Sequence, residues 1–185
     1  MRILGPLISV VAFAAAAHAQ SFRVSSPDIR ADGNIAAEQV YNGSGCAGQN
    51  ISPALSWSGA PAGTRSFAVL VHDPDAPTGG AGWWHWVAID IPAGVSGLAK
   101  GAGNADGTRL PPGARQIAND FGVAGWGGPC PPRGDPPHHY NFAVYALKVD
   151  RLDLPEHATA AVAGFTVSAN ALAKAVFTAL YGRSR

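Results

Sequence analysis

Turns constrain this chain more than anything else it carries. Its 185 residues include 23 glycines and 15 prolines, which free or fix backbone φ and so punctuate regular structure. That density favours a β-rich fold with many turns or long ordered loops. No collagen-like period, low-complexity tract or internal repeat accompanies it. With an ordinary apolar fraction of 47%, a chain of this length is expected to form one domain with a sizeable core.

Residues 1–19 stand apart. Arg2 precedes a run from Ile3 to Ala17 that is apolar except for Gly5, Pro6 and Ser9, and Ala17-His18-Ala19 matches a small-x-small cleavage site. The expectation is a signal peptide cleaved after Ala19, leaving residues 20–185 as a single periplasmic or secreted domain. A membrane span is the rival, but the run is shorter than the roughly 20 apolar residues a span needs, and no later stretch is apolar enough to anchor the chain. Without Arg2 the 13 basic residues fall to 12, matching the 12 acidic ones. A neutral chain with no basic stripe points away from nucleic acid or anionic membrane as the main partner. Cys46 and Cys130 are the only cysteines. An oxidising compartment would allow them to pair, closing a long loop for about 4 kcal/mol in the chain-entropy model; the alternative is two free thiols.

Along the chain, strands are expected at Phe22–Val24, around Gln39–Tyr41, and at Ile51–Trp57, Ser66–Val71, Trp83–Ile91, Arg115–Ala118 and Phe142–Val149. In the Trp83 strand, alternation puts Trp83, His85 and Val87 on one face and Trp84, Trp86 and Ala88 on the other. In the last of these strands, begun slightly early, His138 and Tyr140 share a face and His139 takes the other. Leu152–Ala163 has room for a short helical turn, and Phe165–Val167 for a short strand at most. After Ser168 as N-cap, Ala169, Leu172, Ala173, Val176, Phe177 and Leu180 form an apolar stripe at helical spacing, and Gly182 is a stop signal. The predicted architecture is mainly β, with a C-terminal α-helix packed on a sheet.

Two segments carry the chemistry. The first is His72-Asp73-Pro74-Asp75-Ala76-Pro77, followed by a glycine-rich turn and Trp83-Trp84-His85-Trp86. Its prolines push both aspartates toward extended backbone, which would aim Asp73 and Asp75 the same way. The second is the rigid Pro- and Gly-rich block from Gly125 to Tyr140, which delivers His138 and Tyr140. Imidazoles, a phenol and loop amides can donate to an anion, and the aspartates can accept from the imidazoles and hold their tautomers. Together they predict a pocket for a phosphate or carboxylate whose apolar substituents rest on tryptophan. A hydrolase built on the same His and Asp, with or without a metal, is the alternative. It has neither a compact ligand spacing nor a nucleophile elbow to support it. A third reading is a protein that inhibits a protease or a signalling partner, with the pocket as a docking notch. Asp120-Phe121-Gly122 and Val87-Ala88-Ile89 echo kinase motifs but lack the phosphate loop and the other kinase signatures.

The paired segments, Asp73 to Pro77 with Trp83 to His85, then Gly128 to Tyr140, resemble the two signature regions of the phosphatidylethanolamine-binding protein family, in its bacterial Raf-kinase-inhibitor-like branch. The resemblance runs from about Phe22 to the chain's last helical stripe. It implies an antiparallel β-sandwich with a terminal helix and a small surface pocket for phosphate-like anions, phospholipid headgroups included. By motif position that pocket comprises Asp73, Asp75, Trp83, His85, Gly128, Pro132, His138 and Tyr140. The implied protein is a binder rather than an enzyme, with neither cofactor nor metal, taking a small anionic ligand and leaving room for a protein partner of unknown identity. His139 stands where family members commonly carry Arg, and no extension of the kind that gates the pocket in eukaryotic members follows the expected helix.

Overall fold

The computed structural model describes residues 21–185; the expected signal peptide lies outside them. In chain order the elements are β1 (Arg23–Ser25), β2 (Asn42–Gly43), β3 (Cys46–Ala47), β4 (Leu55–Ser58), β5 (Ser66–Asp73), β6 (Trp83–Pro92), β7 (Gly97–Leu98), β8 (Arg115–Ile117), β9 (His138–Leu147), α1 (Ala160–Asn170) and β10 (Ala171–Tyr181). An antiparallel sheet of order β10-β9-β5-β6-β8 dominates; β1-β4-β7 make a smaller sheet and β2-β3 a minimal hairpin. The fold is thus mainly β with open sheets and one short helix towards the C-terminus. No described helix is long and apolar enough to cross a membrane.

The large sheet is apolar on both faces because each is covered. One face shares a core with the small sheet, where Phe67 and Val69 of β5 and Trp86 and Ala88 of β6 meet Leu55 and Trp57 of β4. On the other, Leu70, Val87 and Ile89 pack under Ala160, Ala163 and Val167 of α1. Thr159 caps that helix, its side chain accepting from the amide of Val162. Gly164 lets the helix approach the sheet: a Cβ there would come within 2.9 Å of the Trp84 ring.

The helix is not where helical spacing put it. Phe165–Val167, read as a short strand at most, lies inside α1, and the stripe after Ser168 is the strand β10. Its inward residues are Ala175, Phe177 and Ala179, at a period of two, while Leu172 and Val176 of the supposed helical stripe are exposed. Pairing with β9 from Ala171–Leu147 to Tyr181–His138, with Phe177 stacked on Phe142 at 4.9 Å, overrides the local helical pattern. The region of Gln39–Tyr41, read as a strand, is turn, and the short hairpin β2-β3 follows it.

Strand β6 also departs from simple alternation. Its register against β5 slips once between His72–Trp84 and Val71–Trp86, and again before Phe67–Ile91. Each slip inserts an extra residue into β6, as β-bulges do. His85 and Trp86 consequently face the same core, and Val87 falls on the α1 side with Ile89 rather than beside His85. The second slip coincides with Asp90, whose φ is +57°. Its carboxylate accepts from Leu152 N–H and pairs with Arg115.

Candidate functional site

Asp73 ends β5 and is buried, 3% exposed. One oxygen accepts from the amides of Asp75 and Ala76 at 2.8 and 3.2 Å, which closes the turn that the prolines begin. The other accepts from His138 Nδ1 at 2.8 Å. Asp73 therefore fixes the loop and orients His138, the role expected of it. Asp75 does not point the same way, because the strand has ended and the turn has begun. It is exposed and holds His139, accepting from both its backbone amide and its Nδ1 at 2.7 Å. The donated His139 amide is the main reason its carboxyl titrates below the ordinary range.

His85, at the β6 bulge, is 2% exposed. Its Nδ1 donates to the Gly127 carbonyl at 2.5 Å, which fixes the proton on that nitrogen and turns Nε2 toward the cavity as a lone pair. The orienting group is a carbonyl rather than the aspartate expected. Burial pushes the His85 pKa down to about 4, against the opposing pull of the Gly127 carbonyl and the Asp73 charge. The ring sits edge-on to Tyr140 and Phe121, with centroids 5.1 and 5.6 Å away. Burial and the neighbouring Asp73 carboxylate raise the pKa of the Tyr140 phenol, so it remains a neutral donor.

These side chains surround a mainly apolar cavity of about 280 Å³. Asp73, His85, His138 and Tyr140 form its polar end, and Trp83, Phe121, Pro131 and Pro132 its apolar walls. Four buried side-chain atoms among the described residues lack a hydrogen-bond partner, and three of them belong to this lining: Trp83 Nε1, His85 Nε2 and Tyr140 Oη. A buried polar group without a partner costs on the order of 1–3 kcal/mol, so three on one lining form a demand for an occupant. Trp83 Nε1 can only donate, the neutral Tyr140 phenol has a proton to donate, and His85 Nε2 accepts when neutral. An oxyanion that retains one proton satisfies all three, as does a fully ionised one that binds with a proton to His85.

Six of the eight expected site residues line this cavity; Asp75 and Gly128 do not. Gly128 lies behind the wall, so close to the Gln39 carbonyl that a Cβ would stand 2.0 Å from it, and its amide donates to Asn50 Oδ1 at 2.7 Å. It is a packing requirement rather than a wall residue. Sequence reasoning missed Ser44, the Ala76–Thr78 turn and, above all, Phe121. Phe121 stacks on Tyr41 at 4.2 Å and is held by the Asn119 carboxamide, which accepts its amide at 2.9 Å. Its signal was an aromatic residue alone in a polar, glycine-bearing loop.

Cys46 and Cys130 form a disulfide that ties the β2-β3 hairpin to the loop before β9, next to Ser44 on one side and Pro131 on the other. No described group of three or more His, Cys, Asp or Glu side chains is arranged to hold a metal ion.

The family model described as phosphatidylethanolamine-binding protein matches residues 25–182. The UPF0098 protein YbcL of Escherichia coli K12 is 48% identical over 179 residues, covering 97% of this chain and 96% of its own. YbhB of the same organism is 43% identical over 159 residues, covering 86% and 99%. The crystal structure of E. coli YbcL, described as a new member of the mammalian family, matches with a TM-score of 0.84 at 50% identity, covering 87% of this chain and 98% of that one. A family homologue from Chlamydia trachomatis gives a TM-score of 0.72 at 29% identity, covering 89% and 99%. With a matching family model, extensive identity and a shared fold, this chain belongs to the phosphatidylethanolamine-binding protein family, in the branch of YbcL and YbhB.

Proposed function

We propose that the protein is an exported binder of small oxyanions, phosphate-like or carboxylate, carried on an apolar group or a phospholipid headgroup. We read its two larger sheets as an unequal β-sandwich that supports the cavity, and its activity as occupancy rather than turnover. The observation that carries this is the convergence of Trp83 Nε1, His85 Nε2 and Tyr140 Oη, all without partners, on one cavity. The apolar wall suits the substituent, and the Asp73–His138 pair leaves the polar end rigid before any ligand arrives. Export is supported by the apolar run of residues 3–17 and by the Cys46–Cys130 bridge. Calorimetry with phosphate, phosphoethanolamine and acetate tests the reading. At least one should give saturable heat that His85→Ala and Tyr140→Phe diminish. Absence of heat with all three, or turnover in a phosphoesterase screen, overturns it.

A further inference from the structure

One wall of the cavity belongs to no sheet. It consists of Ser44, in the β2-β3 turn, and Cys130, Pro131 and Pro132, in the loop before β9. The disulfide joins these segments, and beside it the Tyr41 amide, at the foot of β2, donates to the Pro129 carbonyl at 3.2 Å; both links lie on the Pro129–Cys130 side and neither fixes Pro131. A further tie comes from beyond β10. Arg183 Nε donates to the Pro131 carbonyl at 2.6 Å, and another nitrogen of the same guanidinium donates to the Gly45 carbonyl at 3.0 Å. Pro131 lines the cavity, and Gly45 follows Ser44, which also lines it. A planar guanidinium holds its two acceptors at a fixed separation and orientation. Arg183 is itself tethered to the cavity's polar end. Tyr181 pairs with His138 at the start of β9, and Gly182 packs so tightly on Pro137 that a Cβ would meet it at 3.1 Å. The run Tyr181-Gly182-Arg183 therefore connects the strand bearing His138 and Tyr140 to both segments of the loop wall. Arg183 is not itself among the residues lining the cavity.

The geometry points to Arg183 as a positioning residue: its guanidinium, bridging the Pro131 and Gly45 carbonyls, sets the distance between the loop wall and the His85–Tyr140 end of the cavity. This deepens the oxyanion reading and rests on it. The test uses the purified, disulfide-intact protein with Arg183→Met, which keeps the apolar stem but removes the donors, and Arg183→Lys, which keeps the charge but not the fork. Amide hydrogen exchange without ligand, and calorimetry with inorganic phosphate, are read on each. Arg183→Met should speed exchange in residues 43–47 and 128–134 while β5 and β9 stay protected, and weaken phosphate on the order of tenfold, as a loosened site does. Arg183→Lys should recover only a minor part of both effects. Full recovery by lysine, or unchanged exchange and affinity in Arg183→Met, overturns the proposal. If the parent protein binds none of phosphate, phosphoethanolamine and acetate while Arg183→Met still loosens both segments, the oxyanion reading fails and the bracing by Arg183 stands.

Discussion

His85 meets two opposed demands, since it is buried and yet presents to a cavity a nitrogen with no protein partner. Its depressed pKa makes a pH prediction with a definite sign. Between pH 6.5 and about 4 the unfolded chain holds a proton on this imidazole that the folded one does not. Folding is therefore favoured by rising pH across that window, and stability is lost as pH falls through it. The full difference is on the order of 3 kcal/mol. Urea unfolding from pH 7 to 4.5 should show this slope, and His85→Gln should flatten it by the His85 share. Acetate affinity should rise over the same descent, because a bound carboxylate stabilises the charged imidazole. An acetate affinity that falls as pH is lowered from 7 to 5 would contradict the assignment. At this scale much of the site could be read from the sequence: Asp73, Trp83, His138 and Tyr140, drawn from two distant segments, line one cavity. Asp75 could not be placed, because its direction depends on where β5 stops, and that is settled by the Asp73 carboxylate capturing two turn amides.

Between residue and molecule, β10 offers the sharpest test of element type. As a helix, this segment would bury Val176 and Phe177 together; as a strand it buries only Phe177, 8% exposed, and leaves Val176 51% exposed. Phe177→Ala should cost about 3–5 kcal/mol, whereas Val176→Ala should stay within about 0.5 kcal/mol, both measured by chemical denaturation. Comparable losses at the two positions would contradict the strand. The sequence misleads here because alanine hides alternation: Ala171, Ala173, Ala175 and Ala179 contribute little to an apolar pattern, and the larger residues left over fall at helical spacing. Strand β9 was easier to read, because Pro137 marks its approach and His138, His139 and Tyr140 alternate cleanly between buried and exposed. Strand β6 was legible in extent but not in facing, since bulges arise from pairing with β5 and leave no mark in local composition.

Across the whole molecule, the Cys46–Cys130 bridge spans a sequence separation of 84 and also secures the cavity wall. Replacing both cysteines with serine should destabilise the fold by up to about 4 kcal/mol and weaken oxyanion binding. Denaturation with and without reductant, followed by titration, measures both, and reductant should leave the double variant unaffected. Strand β10 lies at the outer side of the large sheet, and only its far end is occupied there. Asp32, Gly33 and Ile35 bond to Thr178 and Leu180. The stretch nearer α1 keeps an open flank, with Leu172 and Val176 exposed around Lys174, whose ammonium rests over the Tyr145 ring at 5.3 Å. A lysine on an edge strand acts as a gatekeeper, disfavouring a second chain that would dock edge to edge and grow the sheet into an aggregate. Lys174→Val should raise light scattering at high protein concentration while leaving the oxyanion cavity intact.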